Sequence, residues 1–386
     1  MRSVQLGSIS SMKYGKLPPK EILDSGYPIF TGYRVSGYSK EYLYRDAMLI
    51  VVARGVGGTG DVKIAPEQAW ITNLSIVLDL DSSQVDKHFL YYRLGQEALK
   101  DKLNTGSAQA QITIEALSQY EISVPDLASQ RQMATVLRAY DDLIAINQRR
   151  IALLEDAARR LYREWFVHLR FPGHESVPVK DGVPEGWRKQ TLASVADVNA
   201  RSIGARDKPD SVLYIDISSV STGLIGEVTP YAFADAPGRA RRRVDHGDVI
   251  WSCVRPNRRS YALIWEPDEK LVASTGFAVL SAISVPFSYL YFTTTTDDFV
   301  GHLEQNATGA AYPAVTAKTF EDAEILVPEG DTLAAFDQVA LPQLEQMETL
   351  KKQNRSLAQA RDLLLPKLMS GQLDVSGIAL PDEVAA

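Results

Sequence analysis

The sequence predicts an α+β protein with a pseudo-two-fold internal repeat: two α/β globular domains separated by two long antiparallel helices that pair as a coiled coil. Three observations predict it. A loop signature occurs twice at a fixed spacing, an unbroken heptad seam follows each loop, and an apolar strand-like run precedes each one.

The loop reads TGSAQAQIT at 105–113 and TGAAYPAVT at 308–316, an offset of 203. The offset persists downstream, where Leu117 matches Phe320, Glu121 matches Glu324, and Val124-Pro125-Asp126 matches Val327-Pro328-Glu329. Upstream the match is looser: DAMLIVVAR (46–54) resembles DVIWSCVR (248–255), and Leu6-Gly7-Ser8-Ile9 resembles Leu192-Ala193-Ser194-Val195. One large unit is therefore used twice, each copy a globular part followed by a helical part.

The first seam is Met133, Leu137, Tyr140, Ile144, Asn147, Ile151, Leu154, Ala158, Leu161 and Trp165, with steps alternating four and three. That spacing marks a heptad interface. The second is Phe336, Ala340, Gln343, Met347, Leu350, Asn354, Leu357, Arg361, Leu364 and Leu368. Asn147 and Asn354 are polar seam positions of the kind that fix register at a cost in stability. From 133 to 165 the helix should run about 48 Å. Pro342 is expected to kink the second helix or mark its first turn. Pro172-Gly173 should end the first helix and Gly371 the second.

Strand-like runs lie at 48–53, 71–80, 212–217, 249–253 and 275–281, and shorter helices at 87–102 and 287–304. The boundaries that follow are a first globular domain at 1–126, its long helix at 127–172, a Gly/Pro-containing linker at 173–186, a second globular domain at 187–330, its helix at 331–373, and a loose tail at 374–386.

The 386 residues are 45% hydrophobic and 23% charged, which excludes collagen-like and disordered classes. A single cysteine, Cys253, excludes an intrachain disulfide and suits a reducing cytoplasm, the expected location. The run at 48–53 is too short to span a bilayer, and MRSVQLGSIS is no signal sequence. Net charge is −7, so a basic footprint must be local if it exists. Residues 1–63 carry nine Lys/Arg against five Asp/Glu, and 238–260 carry seven Arg against two Asp.

Gly55-Val56-Gly57-Gly58-Thr59-Gly60 fits G-x-G-x-x-G, but an extended, proline-containing stretch follows where a dinucleotide site needs a helix. It reads as a flexible surface loop whose backbone can approach a phosphate beside Arg54 and Lys63. The chain carries no P-loop, no H-E-x-x-H and no G-x-S-x-G, its five His are scattered, and no Asn/Asp-Pro-Pro-Tyr/Phe tetrapeptide of amino-methyltransferases occurs. Pro267-Asp268-Glu269-Lys270 reads as a turn rather than a nuclease carboxylate pair. The expectation is a chain with no catalytic residues and no metal site.

The candidate DNA contacts are Arg239, Arg241, Arg242, Arg243, Arg255, Asn257, Arg258 and Arg259. These groups flank the strand at 249–253 and should come together at one end or edge. Arginine suits bidentate contacts with phosphate and guanine. Arg255 ends the strand and is expected at a base or groove edge. The first copy offers Lys13, Tyr33, Arg34, Tyr38, Arg54 and Lys63 as a weaker equivalent. Gln109 and Tyr312 are the matched loop positions.

Two segments carry a family resemblance. VPDLASQRQMATVLRAYDDLIAINQRRIALLEDAARRLYREWFVHLRFP and LAQARDLLLPKLMSGQLDV resemble the repeated regions of specificity subunits of type I restriction–modification systems. Its marks are Asp141-Asp142-Leu143-Ile144, Trp165-Phe166 and the Arg-Asp-x-Leu-Leu-Pro-Lys-Leu ending, with Pro184-Glu185-Gly186-Trp187 resembling a domain start. The first copy lacks that start, and Gln130 stands where an acidic-Gln pair is common. The resemblance implies two target recognition domains, each reading half of a bipartite double-stranded DNA site, with the helices as ruler and docking platform. It also implies two methyltransferase subunits using S-adenosylmethionine and two restriction/translocase subunits using ATP and Mg²⁺, none of these cofactors being bound by this chain. The rival readings are an enzyme in its own right, a coiled-coil scaffold, and a stand-alone DNA-binding protein of a related defence system.

Overall fold

The computed structural model describes residues 1–55, 58–106, 109–204, 206–207 and 209–373; the tail at 374–386 lies outside the described residues. The chain divides into two compact units, Met1–Ile146 with the chain from Gln353 onward, and Asn147–Lys352. Each long helix thus begins in one unit and ends in the other.

In the first unit a four-stranded antiparallel sheet has the order Ser10–Tyr14, Ser75–Leu80, Leu49–Val52, Val62–Ile64. A smaller sheet orders Val35–Ser39, Tyr27–Phe30, Trp70–Ile71, its last pair parallel. Arg2–Gln5 pairs with Glu121–Val124. The four residues Leu49–Val52 are all buried because they are apolar on both faces of a central strand.

The second unit repeats this plan. Its antiparallel sheet orders Ala196–Val198, Phe277–Ala282, Val249–Ser252, Tyr261–Leu263. Its second sheet orders Thr229–Ala232, Ser211–Ile215, Leu271–Ser274, Ala240–Arg243, with Ser211–Ile215 parallel to Leu271–Ser274. Arg188–Thr191 pairs with Glu324–Val327. The Leu6 N–H donates to the Tyr120 carbonyl as the Leu192 N–H does to Ala323. The offset is 186 between Leu6 and Leu192 and 200 at the Leu49/Val249 strands, where the second copy has added the hairpin Val220–Ser221/Leu224–Ile225 and the edge strand Ala240–Arg243, and it reaches 203 at the loop.

The first long helix spans Leu127–Tyr162 and the second Gly330–Met369. Asp126 caps the first, accepting from the Ser129 N–H at 3.0 Å and the Ser129 hydroxyl at 2.7 Å, and those bonds hold its carboxyl below the ordinary range. Gln130 is fully buried: its Oε1 accepts from the Asp86 N–H at 2.9 Å, and its amide donates to the carbonyls of Gln84 and Pro125. Gln130 thus stitches the helix start to the loop at 84–86.

Within the first unit the helices run antiparallel: Asp141 pairs with Arg361, and three residues on, the Ile144 carbonyl accepts from Asn354. Leu137, Leu364 and Leu368 join one core there with Met133 and Phe89. Within the second unit Tyr162 and Trp165 pack on Phe336, while Ile151, Leu154, Leu161 and Met347 share that core. Leu350 is buried, Leu357 is half-buried, and Asn147 is 7% exposed. Every seam position is therefore buried or half-buried.

Several local expectations change. The helix at 87–102 is two, Lys87–Gly95 and Leu99–Leu103, and that at 287–304 is also two, Phe287–Thr293 and Asp297–Gln305. The second break follows from Thr296 capping a new start, its hydroxyl accepting from the Phe299 N–H. The strand at 71–80 is interrupted between Trp70–Ile71 and Ser75–Leu80, which belong to different sheets. The first helix closes through a π-helical turn, Arg163–Val167, ahead of Pro172-Gly173, with Leu169 left-handed at φ 59°. Pro342 lies inside the continuous second helix. It and Gln338, whose carbonyl it cannot serve, are both exposed, so water can take the freed bond. The stretch at 173–186 is ordered: Val179–Lys180 and Val183–Pro184 form a hairpin whose two loop residues, Asp181 and Gly182, both have positive φ, a type I′ turn. It leads into Trp187, whose ring lies 4.6 Å from that of Phe171.

Among the described residues no helix is long and apolar enough to cross a membrane.

Candidate nucleic-acid interface

In the second unit the buried strand Val249–Ser252 leaves the core through Cys253, whose thiol burial pushes up to about 11. The Cys253 carbonyl accepts from the Val315 N–H at 2.9 Å, and Val254 bridges to Ala314. Arg255 then turns the chain in a left-handed conformation, φ 52°, which costs a side-chain-bearing residue about 1–2 kcal/mol. Its N–H donates to the Pro313 carbonyl at 2.7 Å and its Nη2 to the Ala311 carbonyl at 3.2 Å. The guanidinium carbon sits 4.4 Å from the centre of the Tyr312 ring, which is 68% exposed. A single 3₁₀ turn, Pro256–Arg258, follows, with Asn257 and Arg258 exposed. Arg259 is left-handed as well and pairs with Asp297 at 2.6 Å.

The other arginine group is placed differently from the expectation. Ala240–Arg243 is the edge strand of the second sheet, so the strand Val249–Ser252 is not flanked by both groups. Arg239 lies by the Arg255 end through its backbone. Its carbonyl accepts from the Thr275 N–H, and the neighbouring Gly276 carbonyl accepts from Cys253. The strand leads on from there, although the Arg242 charge still acts on the Cys253 thiol and opposes the rise in its pKa. Arg241 lies 4.9 Å over the Phe233 ring and donates to the Ala240 carbonyl, Arg242 donates to the Ser202 hydroxyl, and Arg243 faces Asp207 at 3.9 Å. The register of this strand shifts between Ala240 and Arg242, and the three arginines engage three different partners, which a count of arginines cannot show.

In the first unit the same loop geometry recurs. The Ile112 N–H donates to the Ala53 carbonyl at 2.8 Å, and Arg54 bridges to Gln111. Arg54 therefore corresponds to Val254, and Gly55 to Arg255, one residue off the sequence match. The Arg54 side chain donates to the Asn73 carbonyl, Lys63 faces Asp61 at 3.7 Å, and Lys13 lies 5.4 Å over the Tyr44 ring. Arg34 and Gln109 are exposed, and Tyr38 is half-buried.

Tyr33, 40% exposed, explains two of the loop glycines. A Cβ on Gly55 would sit 2.5 Å from its hydroxyl, and one on Gly58 2.1 Å from its ring. Burial and then Asp61 raise its pKa. The Thr59 hydroxyl reaches the carbonyls of Gly55 and Ala110, so the described part of this loop is tied down; Val56 and Gly57 lie outside the described residues. The glycines make room for a ring, a role the motif itself does not distinguish from phosphate binding.

Sequence reasoning passed over Arg159. It donates to Glu155, Thr295 and Tyr261, and lies 5.7 Å from the centres of both the Tyr291 and Phe292 rings. The Glu155 pairing at four residues' spacing was its only signal.

Residues 1–156 match a family model described as type I restriction modification DNA specificity domain. The type I restriction enzyme MjaIX specificity subunit of Methanocaldococcus jannaschii is 23% identical over 307 residues, covering 75% of this chain and 70% of the relative. The MjaVIII specificity subunit of the same organism is 19% identical over 399 residues, covering 97% and 93%. Among solved structures, the S subunit of a type I restriction–modification system from M. genitalium matches with a TM-score of 0.64 at 17% identity over 95% of each chain, which establishes a shared fold.

Proposed function

We propose that the chain is a type I restriction–modification specificity subunit, a DNA-sequence-recognition component, as its matches support, and that each of its two globular parts reads one half of a bipartite double-stranded DNA site. The observation that carries this reading is the repeated topology. Each unit presents the same strand end, closed by the same hydrogen bonds, with an exposed side chain at the matched loop position, Gln109 in one and Tyr312 in the other. Equivalent scaffolds with different tips suit two different half-sites.

The paired helices set the spacer and dock two methyltransferase subunits, because a pseudo-two-fold surface offers equivalent faces to identical partners. In this reading the chain contributes binding and positioning. S-adenosylmethionine is used by the methyltransferase subunits, and ATP and Mg²⁺ by two restriction/translocase subunits, in the cytoplasm. Arg258, Asn257 and Arg239 in the second unit, and Arg34 in the first, are exposed and suited to phosphate or base edges.

The test is to co-express the full chain with its methyltransferase subunit in a host free of other methylation and sequence the modified bases. A split motif with two fixed halves is expected. A contiguous motif, or methylation without sequence preference, overturns the reading.

A further inference from the structure

Resting on that reading, we propose that Tyr312 contacts DNA through the face of its ring, and that Arg255 is a positioning residue for it rather than a base reader. The loop that carries Tyr312 is closed at its base by reciprocal backbone bonds between Thr308 and Ala314, each 2.9 Å. Gly309 makes the turn possible: its φ is 102°, and a Cβ there would come within 3.1 Å of the Tyr312 carbonyl. Arg255 fastens the tip on both sides of the tyrosine, through Pro313 by its backbone and Ala311 by its guanidinium.

The arginine is thereby occupied. Its guanidinium plane serves one ring, and one of its nitrogens serves a carbonyl, in a conformation a non-glycine residue rarely holds. The tyrosine is in the opposite condition. It is the most exposed of the large aromatic side chains described, yet it is held in place. A rigid, exposed ring has little order left to lose on binding, and wedged against a partly unstacked base step of the duplex it meets a base face. A cation on its near side leaves the far side to a base. In the first unit the matched positions are Gly55 and Gln109, so neither the clamp nor the ring exists there. An exposed amide stands in its place, suited to hydrogen-bonding a base edge.

The experiment uses the full chain co-expressed with its methyltransferase subunit, with the methylated motif read by sequencing. Tyr312→Phe should keep the wild-type motif, since the ring suffices. Tyr312→Ala should relax one or two positions in one half and leave the other half intact. Arg255→Ala should relax the same positions, and the double variant should be no worse than Tyr312→Ala alone. If Tyr312→Ala abolishes methylation, the purified assembly is titrated with a duplex carrying the wild-type motif. Binding weakened about tenfold or more at an unchanged melting temperature supports the proposal, and unchanged binding overturns it. An unaltered motif in Tyr312→Ala overturns it too, as does equal loss in Tyr312→Phe, which would make the hydroxyl the reader. A wild-type chain that yields no split motif sinks the family-based reading, whereas a split motif indifferent to Tyr312 sinks only this inference.

Discussion

Asp141 on the first long helix and Arg361 on the second form an ion pair across 220 positions of sequence, and the same carboxylate accepts from the Tyr92 hydroxyl. One acid thus ties both helices of the first unit to its globular part. The arrangement also keeps Tyr92 protonated: its burial, then the neighbouring carboxylate, push the phenol far up.

Arg361→Ala and Asp141→Ala should each destabilise the chain by about 1–3 kcal/mol, since each removes a charge-assisted bond from a half-buried network that includes Tyr92. The coupling between them should be smaller, about 0.5–1 kcal/mol, because both side chains keep contact with water. A double-mutant cycle by denaturant unfolding measures it, and strictly additive losses would show that the pair contributes nothing.

Glu97 gives the first unit a pH dependence. Its burial raises the carboxyl pKa, but bonds from Lys102, Tyr120 and Arg93 outweigh that and bring it from 4.5 to about 2. A depressed folded-state value means the stabilisation is present above the unfolded value and is lost as pH falls from about 4.5 toward 2. Stability should therefore drop across that window in the wild type. Glu97→Gln should be less stable at pH 7 by about 1–3 kcal/mol and should show a flatter acid limb. An identical acid limb in the two proteins would refute the assignment.

Arg258 is exposed, whereas Arg241, Arg242 and Arg243 already have partners within the protein. Arg258→Ala should weaken binding of every duplex and lower the salt slope by about one. Arg242→Ala should change the slope less. The check is a salt titration of the assembled complex, and equal slopes for Arg258→Ala and wild type would remove it from the interface.

A heptad inserted into both long helices, near Asn147 and Leu350, keeps the antiparallel seam in phase. It should lengthen the ruler by about 10 Å, or about three base pairs. Insertion into one helix only should mainly destabilise. The readout is the methylated motif: both halves retained with a longer gap is the expected result. An active variant that keeps the original spacer shows that the helices do not set it.

The long helices were legible in the sequence because a heptad seam is a one-dimensional signal: neighbours every three or four residues must meet on one stripe. The repeat was legible for a related reason, since the loop, the strand before it and the helix after it keep their order. What the sequence determined by itself was thus the twofold plan, the seam from Met133 to Trp165 and from Phe336 to Leu368, and the family resemblance. Sheet partners were not legible. Trp70–Ile71 and Ser75–Leu80 form one apolar stretch, yet they pair with different strands, and pairing between distant segments leaves no periodic mark. The same holds at the interface. A cluster of arginines can be counted, but which of them face a partner depends on a register shift in their strand, on Phe233, Ser202 and Asp207 arriving from elsewhere, and on a one-residue shift that makes Gly55, not Arg54, the counterpart of Arg255. Only the tertiary structure decided that Arg255 grips the Tyr312 loop and that the first copy's glycines make room for Tyr33, because both depend on side chains meeting across long stretches of chain.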